Sequence, residues 1–113
     1  MKTIEDLLRE IVAFRDERNW KQYHTPKDLA ISISLEAAEL LEVFQWSGKD
    51  MVVENKRGKI EEELADVMIY CGLMADALDM DVDEIITKKL QVNRKKYPVE
   101  KAYGKADKYT ELS

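Results

Sequence analysis

Two pairs of acidic residues have a spacing that suits metal binding. Glu36 and Glu39 are three positions apart, and Glu63 and Asp66 repeat this spacing further along the chain. In an α-helix, side chains at i and i+3 lie on the same face, with their Cβ atoms about 5–6 Å apart. The two carboxylates of each pair therefore repel each other unless a cation lies between them.

Both pairs fall on or beside the apolar face of a predicted helix. At about 100° per residue, Glu36 lies inside the stripe formed by Leu29 and Ile33, and Glu63 aligns with Val67. Burying an unpaired carboxylate costs several kcal/mol, against a domain stability of about 5–15 kcal/mol. We expect no lysine or arginine at matching positions on these faces. A hard divalent cation bound by all four carboxylates is therefore indicated, and oxygen ligands favour Mg²⁺, Mn²⁺ or Ca²⁺.

Two other interpretations of the acidic pairs compete with a metal site. A single Glu-x-x-Glu in a charge-rich helix is most often solvated surface, and only the repetition of the pair on a second apolar face favours a metal. A carboxylate-bridged di-iron bundle normally needs Glu-x-x-His pairs. The only histidine is His24, in a predicted connector, which argues against di-iron.

Helix-capping residues and apolar periodicity define the elements that carry these acids. Thr3, Thr25 (followed by proline) and Asp81 are typical N-caps, and Pro98 marks a helix end. Four helices are predicted. The first begins at Thr3, and the second runs from Pro26 to about Phe44. The third runs from about Lys56 to Leu78, and the fourth runs from Asp81 to before Pro98. A turn is predicted at Ser47–Asp50, with a loop to about Asn55. No strand-like alternation occurs, so the prediction is all-α.

The domain prediction is one domain over residues 1–98 and a polar, irregular C-terminal tail over residues 99–113. A chain of 113 residues has a modest core, so we expect a four-helix-bundle type subunit whose bundle is completed by oligomerisation. On the third helix, Met68, Cys71 and Met74 are predicted to be buried. As the only cysteine, Cys71 permits no intrachain disulfide.

Charge and hydropathy exclude two classes of partner. The net charge of −5 argues against a general nucleic-acid binder, because phosphate binding relies on an excess of lysine and arginine. A nucleotide substrate is still allowed, because a bound metal reverses the local sign of charge. No apolar run approaches 18 residues and no signal peptide is recognisable, so we expect no membrane contact and a cytoplasmic location.

The acidic pairs and their flanks resemble the MazG-like family of all-α nucleoside triphosphate pyrophosphohydrolases. The family signature ExxE…ExxD matches Glu36-Ala-Ala-Glu39 and Glu63-Leu-Ala-Asp66. Further segments are similar to the dCTP pyrophosphatase branch of that family: residues 14–20 (FRDERNW), 24–26 (HTP), 44–46 (FQW), 66–70 (DVMIY) and 93–98 (NRKKYP). The resemblance extends over about residues 4–100.

This resemblance implies hydrolysis between the α- and β-phosphates, Mg²⁺ dependence (with Mn²⁺ as an alternative), and a homodimer or homotetramer. In that branch, six residues would surround a pyrimidine nucleotide such as dCTP: Trp20, His24, Trp46, Tyr70, Lys89 and Asn93. If these residues do not bind a nucleotide, the aromatic side chains are explained by packing, and the other side chains are simply solvated. Glu39 or Glu63 would activate the water, and spacing does not decide between them. The expected role is removal of unwanted nucleotides from the pool.

Two other functions remain open at this point. One is a phosphoribosyl-ATP pyrophosphatase-like enzyme on a related scaffold. The other is a non-catalytic helical module that binds a nucleotide or a protein partner. The intact set of four acids favours an enzyme, and the Trp20 and His24 segment favours the deoxynucleotide branch.

Overall fold

The structure is a computed structural model that describes residues 1–46 and 54–112, and all regular secondary structure in these ranges is helical. The α-helices are α1 (Ile4–Glu17), α2 (Pro26–Glu42), α3 (Arg57–Ala77), α4 (Val82–Lys96) and α5 (Val99–Ala102). Short 3₁₀ helices occur at Lys21–Tyr23, Glu54–Lys56 and Tyr109–Glu111. The all-α prediction is confirmed, while the turn predicted at Ser47–Asp50 lies outside the described residues. No helix in the described ranges is both long and apolar enough to cross a bilayer.

The N-caps form as the sequence predicts. The Thr3 side chain accepts a hydrogen bond from the Asp6 backbone N–H at 3.1 Å, and Asp6 accepts one from the Thr3 backbone N–H at 3.0 Å. Thr25 and Asp81 each accept from the backbone N–H three residues on. Each cap stabilises its helix by about 1 kcal/mol because it satisfies an N–H group that has no partner within the helix.

The chain divides into two compact units, residues 1–79 and residues 80–113. In the first unit, α3 packs against both α2 and α1. Its apolar core contains Leu29, Leu73 and Ala75. Gly72 permits the close approach of α1 to α3, because a Cβ atom there would lie 2.9 Å from Leu8 Cδ2.

A second interior feature of this unit is a buried arginine. The Arg15 side chain, on α1, donates to Asp76 on α3 at 2.7 Å and to Asp16 at 2.9 Å. Arg15 is only 2% exposed. The ion pair with Asp76 links the end of α1 to the end of α3.

The burial predicted for α3 is partly wrong. Met68 is 60% exposed and Cys71 is also exposed, whereas Met74 is half-buried. Apolar residues occur on more than one face of α3, and among the described residues α3 packs mainly against α2 and α1. Periodicity identified an apolar helix but did not identify which of its faces the neighbouring helices would take.

In the second unit, α4 ends at Lys96 as the proline at position 98 requires. The tail, predicted to be irregular, is more regular than expected because α5 and the last 3₁₀ helix lie in it. The rings of Tyr97 and Tyr109 meet edge to face at 6.0 Å, and Lys96 Nζ lies 4.7 Å from the Tyr109 ring centroid. These contacts join the last 3₁₀ helix to the end of α4.

Candidate active site

Three of the four predicted metal ligands converge between α2 and α3. Glu36, Glu39 and Glu63 each offer a carboxylate oxygen, and the three oxygens lie within 4.8 Å of one another. Glu63 is 6% exposed, Glu36 is half-buried and Glu39 is exposed. The packing of α2 on α3 therefore brings together acids that are far apart in the sequence. We call these three residues the glutamate cluster.

The proximity of the three carboxylates changes how the cluster ionises. Hydrogen bonds to Glu36 and then to Glu63 raise the pKa of Glu39 to about 7, because neighbouring carboxylates stabilise its protonated form. The pKa of Glu63 is lowered, chiefly because Lys59 donates to its carboxylate. The Lys59 Nζ to Glu63 Oε1 distance is 2.9 Å. Lys59 thus places an ammonium group on the cluster, and the raised pKa of Glu39 favours its protonated form below about pH 7.

Two carboxylate oxygens of the cluster are buried without a hydrogen-bond donor, namely Glu36 Oε2 and Glu63 Oε2. A buried acceptor that lacks a donor costs free energy, and a carboxylate oxygen costs more than a neutral one. A divalent cation would supply the missing partner to both oxygens. The donor set consists only of carboxylate oxygens, which suits Mg²⁺ or Mn²⁺ and does not suit a metal that prefers nitrogen or sulfur.

Asp66, the fourth predicted ligand, is not part of the glutamate cluster. It lies on α3 one turn after Glu63 and its side chain is exposed. Its role as a metal ligand therefore stays a prediction, supported by the sequence signature and not by proximity in the structure.

Trp20 and His24 lie in the connector between α1 and α2. The Trp20 ring packs edge to face on Phe14 at 5.8 Å, and the tryptophan remains 44% exposed. His24 is half-buried, and its Nδ1 atom is buried without a hydrogen-bond partner. Burial and then the nearby charge of Arg15 lower the pKa of His24, which keeps the imidazole neutral at pH 7.

In the sequence, Trp46 lies between the two acidic pairs, and Tyr70 follows the second pair. Trp46 follows α2, is 92% exposed, and has a positive φ of 70°. Tyr70 is half-buried on α3, two turns after Glu63. Trp46 therefore has almost no packing against the described residues of one chain.

Comparisons with known proteins identify the family. The sequence model of the MazG-like family matches residues 31–112. The chain belongs to the MazG-like family. It is 36% identical over 115 residues to dCTP pyrophosphatase 1 of Mus musculus and of Homo sapiens, covering 97% of this chain and 68% of each relative. A crystal structure of a pyrophosphatase from Archaeoglobus fulgidus is similar, with a TM-score of 0.79 and 44% identity over 87% of this chain and 94% of that chain.

These findings confirm the family resemblance and the prediction of a pyrophosphohydrolase. The family match includes Glu36, Glu39, Glu63 and Asp66, and it also extends through most of the predicted tail. The match to the crystal structure covers most of the chain, which supports the all-helical architecture of this MazG-like protein.

Lys89 and Asn93 of this MazG-like chain lie on α4, in the second compact unit. Together with Ile85, Ile86 and Leu90, they line an open groove of about 340 Å³ on one side of that helix. The two polar residues thus share a face of α4, as expected for residues four positions apart in a helix. Their approach to a nucleotide stays a prediction.

The sequence reasoning missed two charged residues that the structure places in important positions. Lys59 contacts Glu63, so the expectation that no cation matches the acidic faces was wrong. The signal was available, because Lys59 precedes Glu63 by four residues on the same helix face. Arg15 was overlooked because its partner Asp76 is 61 positions away, a pairing that no local spacing reveals.

Proposed function

We propose that this MazG-like chain hydrolyses nucleoside triphosphates to the monophosphate and pyrophosphate, with a divalent cation bound by the glutamate cluster. The observation that carries the proposal is the convergence of three carboxylates with two buried oxygens that lack a donor. Asp66 would complete the ligand set. Mg²⁺ is the proposed ion, with Mn²⁺ as the alternative.

The roles of the residues follow from their environments. When bound, the cation neutralises the charge that develops on the phosphates. Glu36 is half-buried and Glu63 is buried, so these two side chains are the better suited to act as ligands. Glu39 is exposed and raised in pKa by its neighbours, so it is better placed than Glu63 to orient and deprotonate the water. The attack then breaks the α–β bridge and pyrophosphate leaves.

The proposed substrate is a pyrimidine deoxynucleotide such as dCTP, which is the nucleotide named for the mammalian relatives. The exposed rings of Trp20 and Trp46 offer faces for a base. His24 offers a buried Nδ1 atom without a partner, and Tyr70 a polar tip. Lys89 would bind a phosphate, with Asn93 beside it. The proposed biological role is cytoplasmic removal of unwanted nucleotides.

A homodimer or homotetramer is proposed as the functional state. Apolar side chains one turn apart remain exposed on α2 (Ile31, 48%; Leu35, 61%) and on α3 (Leu64, 46%; Met68, 60%). Such stripes are costly in water, and another copy of the same helices would cover them. Light scattering coupled to gel filtration measures the state, and a monomer at micromolar concentration would contradict it.

The decisive experiment is a pyrophosphate-release assay with a panel of ribo- and deoxynucleoside triphosphates, in Mg²⁺, in Mn²⁺ and in EDTA. We expect turnover that requires the metal and is fastest with a pyrimidine deoxynucleotide. Glu39→Ala should lower kcat by at least about 1,000-fold, since it removes both a ligand and the base. Glu42→Ala is the matched control, an exposed glutamate on α2 outside the cluster, and should retain the rate.

The assay also distinguishes the rival functions. Turnover of phosphoribosyl-ATP above every deoxynucleotide would favour the related enzyme. Nucleotide binding without any pyrophosphate release would favour the non-catalytic module. A Glu39→Ala protein with the wild-type rate would show that the glutamate cluster is not the active site.

A further inference from the structure

The placement of Lys59 is unusual for a helix. It lies in the first turn of α3, where Arg57 is the other charged residue and no acid is present. Cations are unfavourable at a helix N-terminus because of the backbone dipole. An i,i+4 ion pair with the lysine on the N-terminal side, as in Lys59 and Glu63, is also the less favourable order. The preferences of an isolated helix therefore do not explain why a lysine occupies position 59.

The glutamate cluster does explain it. Lys59 Nζ lies 2.9 Å from Glu63 Oε1 and 3.8 Å from Glu62 Oε2. The Glu63 side chain is 8% exposed, whereas that of Lys59 is 60% exposed. The ammonium group thus approaches a buried carboxylate from the solvent side. It contacts the same side chain that a divalent ion in the cluster would bind.

We propose that Lys59 is the resident counter-ion of the metal-free cluster, which competes with the divalent cation for Glu63 and thereby couples metal binding to nucleotide binding. The inference rests on the function proposed above. A metal ion that binds alone through the unpaired Glu63 Oε2 atom places a divalent charge beside the ammonium group that Lys59 holds on Oε1. A metal ion that arrives with a triphosphate brings negative charge that offsets this repulsion. Lys59 therefore weakens binding of the free ion more than binding of the ion with nucleotide.

The coupling follows from thermodynamic linkage. If nucleotide raises the affinity for metal by some factor, metal raises the affinity for nucleotide by the same factor. Removing Lys59 should raise metal affinity in the absence of nucleotide and reduce this factor. A residue that only supports the fold would do neither, since its loss does not tighten metal binding.

The test compares Lys59→Met with Arg57→Met. Both variants remove one positive charge from the exposed first turn of α3 and keep a long, helix-compatible side chain. Arg57 makes the equivalent i,i+4 pair with Glu61, at 3.1 Å, which is outside the cluster. Mn²⁺ binding is measured by electron paramagnetic resonance, with and without dCTP carrying a methylene group in place of the α–β bridging oxygen.

We expect Lys59→Met to bind Mn²⁺ alone about 3- to 10-fold more tightly, the size expected for loss of one partly screened charge. Its coupling to the analogue should fall by a similar factor. Arg57→Met should match the wild type in both quantities, and Lys59→Arg should restore the weaker binding. Unfolding in EDTA, followed by circular dichroism, checks that each variant is folded.

Different results overturn different claims. Wild-type uptake of Mn²⁺ with unchanged or weaker uptake by Lys59→Met would overturn the role of Lys59 and leave the proposed function standing. Equal tightening in Arg57→Met would show a general charge effect and would also overturn it. If the wild type takes up no Mn²⁺ with or without the analogue, the metal site itself is wrong.

Discussion

The first compact unit contains two buried ionic groups whose charges are balanced in opposite ways. Arg15 is 2% exposed and meets two carboxylates, so its positive charge is fully compensated. Glu63 is 6% exposed and meets one lysine, but two further glutamates lie beside it. The Arg15 group has satisfied partners, whereas the glutamate cluster retains two oxygens without donors.

This difference separates a structural ion pair from a binding site. A buried charge with complete hydrogen bonding holds elements together, and its loss leaves the partner charge uncompensated. A buried excess of one charge is unfavourable in the isolated chain. Such an excess is typical of functional sites, where a ligand of opposite charge balances it. By this criterion Arg15 positions α1 on α3, and the glutamate cluster is suited to bind a cation.

Removal of the buried arginine should give the largest change in stability. Arg15→Met is expected to lower the free energy of unfolding by about 2–3 kcal/mol, because Asp76, whose side chain is 37% exposed, loses a hydrogen bond to a charged partner. Chemical denaturation measures this loss. The double variant Arg15→Met, Asp76→Met should recover part of it, since neither charge then remains. If Arg15→Met were as stable as the wild type, the contrast between the two groups would be lost.

Metal should stabilise the protein through the glutamate cluster, whereas a completed ion pair such as that of Arg15 should not contribute to this gain. Saturating Mg²⁺ should stabilise the wild type by about 2–3 kcal/mol at 100 times its dissociation constant. Glu39→Gln should gain much less from Mg²⁺, because it lacks one ligand charge. The measurement is denaturant unfolding at pH 8 in EDTA and in Mg²⁺, with Glu42→Gln as the matched control.

The same experiment in EDTA tests the sign of the Glu39 contribution. Its pKa is about 7 in the folded chain and near 4.5 when unfolded, so the folded state binds the proton more tightly. The stability linked to this proton is complete below about pH 4.5 and is lost as the pH rises through 7. Glu39→Gln should therefore be the more stable protein at pH 8 without metal. A less stable variant would show that the glutamates do not repel each other there.

The two ionic groups also show what sequence reasoning can and cannot reach. The glutamate cluster was predicted because Glu36 and Glu63 lie on apolar helix faces and Glu39 lies at the edge of one, and helix faces follow from the sequence period. The caps at Thr3 and Thr25 were predicted for a similar reason, since each acts within three residues. Lys59 was within reach of the same reasoning, because it is on the same face as Glu63.

Features set by tertiary packing were not predictable in this way. The pairing of Arg15 with Asp76 depends on how α1 crosses α3, where the Leu8 side chain lies close to Gly72. The exposure of Met68 and Cys71 depends on which face of α3 its neighbours cover. Spacing also grouped Asp66 with Glu63, although in the folded chain the aspartate is exposed and outside the cluster.

His24 gives the test with the smallest expected effect. The charge of Arg15 acts on the pKa of His24, although the two residues form no ion pair. Burial and the positive charge of Arg15 lower the pKa of His24, while the unfolded chain binds a proton near pH 6.5. The stability linked to neutral His24 is therefore complete above pH 6.5 and is lost as the pH falls toward the folded pKa. We expect His24→Gln to lack this component, so that its stability falls less than that of the wild type between pH 8 and pH 5.5. NMR titration of the imidazole checks the cause, because a pKa at or above 6.5 would show that neither burial nor Arg15 acts on this histidine.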